Sequence, residues 1–268
     1  MKSMLPALAA LALSAGTGLA ADYRDWKGAR VAFLGDSITD RRHIGCETNY
    51  WGFLSERMGL RAFVYGINGN QMSDIPRQVE AAQAEMGDDV DAVFVFAGTN
   101  DYNADVPMGG FFAEAEVAVR KNAATNTLRR RTPLTDGGTF CGRLNAALCK
   151  VKTAFPQAQV VLLTPLHRGF AQFGEQNVQP DEAYANACGL YIDDYVRAVR
   201  EAGSYWSVPV IDLYAECGML PRRPEYDACV ANPVHDRLHP STLGHERLAR
   251  VIEMRLRAMP SNFRQNRK

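Results

Sequence analysis

A serine becomes a nucleophile at neutral pH only when a histidine takes its proton and a carboxylate orients that histidine. Two stretches far apart in this sequence hold such a set. Ser37 follows an apolar run in VAFLGDSITD (31–40), and Asp236 and His239 share the pentapeptide DRLHP. In a turn-like segment, a three-residue spacing lets Asp236 reach the imidazole and hold its tautomer. Acyl transfer also needs donors aimed at a developing oxyanion. Asn100 in GTND supplies a side-chain amide, and the backbone N–H of Ser37 is another donor. Gly69 in YGINGN lacks a Cβ and can bring its N–H close, with Gly66 as the second choice. His235 and His239, four apart, would also suit a metal pair. No third ligand cluster accompanies them, however, and the triad uses the same residues. The set requires no metal and no organic cofactor.

These residues must meet at one place, and the pattern between them indicates how. Five apolar, β-rich runs (30–34, 62–65, 92–97, 159–163 and 208–213) alternate with helical patterns (50–58, 73–84, 142–154, 181–201 and 242–258). Such alternation predicts an α/β fold, a parallel sheet covered by helices on both faces. Near-continuous apolar character in AVFVFA and VVLL suits strands buried on both sides. Open sheets of this kind bind ligands at the carboxyl edge of their strands. The exits of the first four runs carry Ser37, Gly69, Asn100 and the pair His167 and Arg168.

A polar stretch at about 102–140, expected to be irregular, begins at that edge and is a candidate for shaping a substrate site. Trp51, Tyr102, His167 and Arg168 are the candidate substrate contacts. Tyr50, Phe111 and Phe112 would extend an aromatic wall suited to a sugar ring. The arginines 129–131 read as a solvated charge run rather than an anion site, and His245 as a structural or surface histidine of the last helix.

Composition narrows the classes. Lys plus Arg and Asp plus Glu each total 30, so no net field attracts nucleic acid or an anionic membrane. Hydrophobic residues make up 47%, enough for the core of a single domain, taken as 21–268. Residues 1–20 read as a cleaved signal peptide, with Lys2, an apolar run over 4–13 and small residues up to Ala20. That run falls short of the roughly 20 residues that span a bilayer. The mature chain is therefore expected to be secreted or periplasmic, without stable membrane insertion. Export would bring the six cysteines into an oxidising compartment. Some bridges are then expected, Cys217 with Cys229 being favoured by closeness in sequence, and buried free thiols are the alternative.

GDSIT, NGN, GTND and DRLHP occur in the order of the four sequence blocks of the SGNH, or GDSL-type, hydrolases. From about residue 35 to 240 the chain resembles that family. The resemblance implies a three-layer, flavodoxin-like α/β/α fold with a five-stranded parallel sheet. It also implies Ser37 as nucleophile, His239 and Asp236 as base and orienting acid, and Gly69 and Asn100 as oxyanion donors. The second block departs from the family pattern, because VYGINGNQ has no Asn just before its first glycine, which leaves Gly66 open beside Gly69. The Gly-x-Ser-x-Gly elbow of α/β-hydrolases is absent.

The expected activity is hydrolysis of carboxylic esters through an acyl-enzyme. The partner is a small-molecule or glycan ester, with O-acetylated carbohydrate as the leading substrate. A lipase, lysophospholipase or acyltransferase would use the same residues, and a non-catalytic glycan-binding protein is the remaining alternative.

Overall fold

Alternation along the central strands divides the core in two. Ala32, Leu34, Val93, Val95, Val160 and Leu162 face one helical layer, and Val31, Phe33, Phe94, Phe96, Val161 and Leu163 face the other. Successive strand side chains point to opposite faces. Both faces are apolar here, so both need cover.

The computed structural model describes residues 26–259. The leader expected over 1–20 and the basic C-terminal tail lie outside the described residues. In chain order the elements are β1 (Arg30–Gly35), α1 (Tyr50–Met58), β2 (Arg61–Val64), a 3-10 turn (Met72–Asp74), α2 (Ile75–Met86), β3 (Ala92–Phe96) and α3 (Thr99–Asn103). Then come β4 (Phe112–Lys121), β5 (Ala124–Pro133), α4 (Phe140–Ala154), β6 (Gln159–Leu163), β7 (Ala171–Gly174) and β8 (Asn177–Gln179). The chain continues through α5 (Ile192–Trp206), β9 (Val210–Ile211), α6 (Leu213–Glu216), a 3-10 segment (Pro224–Cys229), β10 (Val230–Asn232), β11 (Asp236–Pro240) and α7 (Thr242–Ala258).

Five strands form one sheet in the order β2-β1-β3-β6-β9, and every neighbouring pair is parallel. This is the flavodoxin-like order. Helices α2, α4 and α5 cover one face, and α1 and α7 the other. A second, antiparallel sheet of order β10-β11-β7-β8 lies outside it.

Three expectations are corrected. The helix expected over 181–201 begins at Ile192, where Asp194 Oδ2 accepts the Tyr191 N–H at 2.7 Å. Residues ahead of it serve tertiary partners instead: Glu182 accepts the Arg168 N–H at 3.0 Å, and the Tyr184 carbonyl accepts the Tyr102 hydroxyl at 2.6 Å. These contacts outweigh the local helical periodicity.

The stretch 102–140 is not irregular, since most of it is the β4–β5 hairpin with ten residues in each strand. Asn145 closes the hairpin's root, its Nδ2 donating to the carbonyls of Phe111 and Leu134, both at 2.7 Å. Lastly, all six cysteines are free thiols. The favoured pair, Cys217 and Cys229, is buried in the layer shared by α1 and α7, where each packs as a small hydrophobic side chain. Among the described residues no helix is long and apolar enough to cross a membrane.

Candidate active site

Ser37 sits just beyond β1, on a turn held by hydrogen bonds from Asp36 and, through Gly35, from Gln78 of α2. Asp36 Oδ1 accepts the Ile38 N–H at 3.0 Å, and the carbonyl of Asp36 accepts the Thr39 N–H at 3.1 Å. From α2, Gln78 bonds both backbone groups of Gly35, accepting its N–H and donating to its carbonyl, each at 2.8 Å. A side chain at Gly35 has no room, since a Cβ there would lie 2.4 Å from the Phe96 carbonyl oxygen. Asp36 is buried beneath the turn, and burial pushes its carboxyl from 3.8 up to about 7.

His239 and Asp236 come from β11, not from a loop. A regular strand would send residues three apart to opposite faces. The pairing of β10 with β11 is irregular, however: Val230 faces Pro240 and Asn232 faces Asp236, so β11 carries extra residues between them. The bulge turns both side chains toward the serine. His239 Nδ1 lies 2.8 Å from Asp236 Oδ2, and His239 Nε2 lies 2.8 Å from Ser37 Oγ, across 202 residues of sequence. The other carboxylate oxygen of Asp236 accepts the N–H groups of Leu238 and His239 at 3.2 and 3.0 Å. With the carboxylate so held, Nδ1 carries the proton and Nε2 is left as the acceptor facing the hydroxyl.

Gly69 and Asn100 reach the same place. Gly69 has φ +83° with open space where a Cβ would point. By contrast, a Cβ on Gly66 would lie 2.6 Å from the Thr39 Cβ, so that glycine serves close packing behind the turn. Asn68 N–H donates to Asp40 Oδ2 at 2.8 Å and fixes the loop before Gly69. Asn100 is the second residue of α3, and its Nδ2 donates one hydrogen to the Asn70 carbonyl at 2.9 Å, leaving the second for a ligand. Its neighbour Asp101 anchors this turn, accepting the Met72 N–H and the Arg143 guanidinium, both at 2.8 Å. Burial raises the Asp101 carboxyl.

Ser37, Gly69, Asn100 and His239 share the wall of a cavity of about 240 Å³. Ile44, Leu238 and Phe173 make its apolar part, and Asn68, Asn177 and Gln179 its polar part. Phe173, Asn177 and Gln179 come from the β7–β8 hairpin. Phe173 is exposed and its ring lies 5.4 Å from the His239 ring. Sequence reasoning missed these three, because strands of four and three residues show no periodic pattern. Larger hollows of about 490 and 690 Å³ lie beside β2 and at the amino end of β6, and neither includes the serine.

The four candidate substrate contacts are not on this wall. Trp51 donates its Nε1–H to the Thr39 carbonyl at 3.0 Å and so props the serine turn from behind. Tyr102 is buried against Tyr195. His167 Nδ1 meets Glu182 at 2.9 Å, and its ring stacks on Tyr214 at 3.6 Å. Arg168, only 1% exposed, bonds Asn103 Oδ1, Gln179 Oε1 (3.1 Å) and the Pro180 carbonyl (3.3 Å). It ties α3, which carries Asn100, to the strand that carries Gln179. Burial lowers its guanidinium to about 10.

The proposed aromatic wall is likewise core: Tyr50 and Phe111 are buried, and Phe112 packs on Tyr205 at 4.8 Å. The arginines 129–131 are exposed on β5. His245 is buried in α7, its Nδ1 accepting the Tyr50 N–H at 3.2 Å.

No curated protein matches the chain. Among solved structures, a protein from Lactobacillus plantarum is 27% identical, with a TM-score of 0.67 over 87% of this chain and 98% of its own. A possible lipase from Chitinophaga pinensis is 20% identical, with a TM-score of 0.63 over 85% of this chain and 98% of that one. An acetyl xylan esterase from Geobacillus stearothermophilus is 19% identical, with a TM-score of 0.51 over 91% and 100%. At such identities the last two speak for the fold. The sequence pattern of the GDSL-like Lipase/Acylhydrolase family matches residues 33–247, which include the serine, the histidine, the aspartate and both oxyanion candidates, and the chain belongs to that family.

Proposed function

We propose that the protein is an exported serine esterase that removes short acyl groups, above all acetyl, from carbohydrate. The observation that carries this reading is the unbroken chain of 2.8 Å contacts from Ser37 Oγ to His239 to Asp236, opening on a cavity of about 240 Å³. That distance lies within the reach required of a general base. His239 takes the Ser37 proton as Oγ attacks the carbonyl carbon, and Asp236 stabilises the imidazolium that forms. The N–H groups of Ser37 and Gly69 and the Asn100 amide receive the oxyanion. His239 then returns its proton to the leaving alcohol. Water, activated by the same imidazole, releases the acid from the acyl-enzyme.

The small cavity favours a short acyl chain, because Phe173, Ile44 and Leu238 close its apolar side. Its polar side suits the hydroxyl-rich alcohol of a sugar. The test is a substrate screen with p-nitrophenyl esters from acetate to long chains, alongside acetylated xylan and pectin. Acetate preference with release of acetate from a glycan is expected. No turnover, or equal turnover after Ser37→Ala, would sink the esterase reading, and preference for long chains would point to a lipase instead.

A further inference from the structure

The β4–β5 hairpin pairs with no other strand among the described residues, so both of its edges are open. An unpaired edge is a template for another strand, and an isolated two-stranded ribbon is marginal in water. The register puts Glu114, Glu116, Ala118 and Arg120 on one face and Ala113, Ala115, Val117 and Val119 on the other, where Val117 faces Leu128. Val119 and Leu128 are 39% and 40% exposed. The two edges differ in kind. β5 bears Arg129, Arg130 and Arg131 in a row and ends in Pro133, so a second β5 laid against it would bring like charges together. β4 has neither proline nor a run of one sign over its first eight residues.

We propose that two copies of this chain pair through β4, antiparallel about a two-fold axis at Ala118, joining their hairpins into one four-stranded sheet. Residues directly opposite in such a pair share a face and interact. With Ala118 on the axis, Val117 meets the partner's Val119, and Glu116 meets the partner's Arg120, each twice by symmetry. Among the described residues Glu116 and Arg120 form no ion pair within the chain, whereas Glu114 is held by Arg129 at 3.2 Å and Arg131 at 3.1 Å. Glu116 and Arg120, which share a face, thus complement each other across the axis. Moving the axis to Glu116 would set that carboxylate against its own copy, and a slip of one residue would bring the valines to the charged face. The contact within β4 then runs over 115–121, roughly 24 Å at about 3.4 Å per residue. That is shorter than a permanent interface needs, so the dimer depends on concentration.

Sedimentation equilibrium of the full chain, from low micromolar to near-millimolar concentration, reads the association directly. Dimer is expected to accumulate with concentration. Glu116→Arg and Arg120→Glu should each weaken it about tenfold or more by opposing like charges, and the double exchange should restore it to within a few-fold. Thermal midpoints of the monomers, unchanged among the variants, show that the fold is intact. A chain that stays monomeric at every concentration overturns the proposal. So does a dimer that the single reversals leave unaltered or that the double exchange fails to restore.

Discussion

Two β-hairpins lie outside the parallel sheet, β4–β5 with ten residues in each strand and β7–β8 with four and three. The long one is exposed along most of its length and touches the body through its root at Phe111 and Leu134. The short one shares a sheet with the strand that carries the histidine: Ala171 of β7 pairs with Asp236 of β11. It is the short hairpin that lays Phe173, Asn177 and Gln179 on the cavity. Anchorage, not length, separates them. A side chain keeps a position relative to reacting atoms only when its backbone is held by rigid neighbours, and β7 shares a hydrogen-bonded sheet with Asp236 itself. The insertion leaves the sheet at its carboxyl edge, yet its long strands pass the candidate site by, because their root is fixed to Asn145 five residues into α4.

Changes on the anchored side should be felt most. His239→Ala should lower kcat for p-nitrophenyl acetate by several orders of magnitude, while His235→Ala should leave it near wild type. The reverse outcome would move the base to His235. Asn100→Ala should cost less, about 10²- to 10³-fold in kcat, as for the loss of one oxyanion donor elsewhere. An equal loss in KM alone would make Asn100 a binding group only. Phe173→Ala should open the apolar wall and raise the kcat/KM ratio of butyrate to acetate about tenfold, the scale of a methylene or two in an apolar pocket. An unchanged ratio would remove β7–β8 from the acyl side.

Beneath the serine, burial moves the Asp36 carboxyl from 3.8 to about 7. The folded chain then keeps a proton that the unfolded chain loses between about pH 4 and 7, so stability through this group falls as pH rises across that window. Asp36→Asn abolishes the titration and can still accept the Ile38 N–H. Its thermal midpoint, relative to wild type, should rise from pH 4 to pH 7, and a flat difference would show that the carboxyl titrates as it does in the unfolded chain. The smallest effect belongs to the free hairpin. Replacing 113–132 by a short flexible link should leave acetate hydrolysis within about twofold, since its strands support nothing at the site. A large loss would erase the distinction between the two hairpins.

Much of this was legible in the chain. The strand runs 30–34, 92–97 and 159–163 lie within a residue of β1, β3 and β6, and the patterns over 50–58 and 242–258 coincide with α1 and α7. Continuous apolar runs and three-four spacing are local signals that burial on both faces of a sheet makes strong. The alternation AEAEVAV over 113–119 is an equally local signal, but it lies in the polar stretch expected to be irregular, and it is the structure that makes it β4, a strand with two unlike faces. The four short blocks placed a serine, a glycine, an asparagine and a histidine at or beside the same edge, because strand exits in a parallel sheet share that edge.

Other features depend on distance in space rather than in sequence. Gly69 opens on the cavity and Gly66 does not, because Thr39 fills the space beside Gly66. Arg168, an exposed-looking cation after a strand, is enclosed by Asn103, Gln179 and Pro180. The aspartate and histidine face the serine where the pairing of β10 with β11 shifts register. The order of layers and the chemical kinds gathered at one edge follow from the chain alone, since burial patterns and residue types are its own properties. Tertiary structure alone decided which side chains line the cavity and which merely brace it, because that choice rests on contacts between segments up to 202 residues apart.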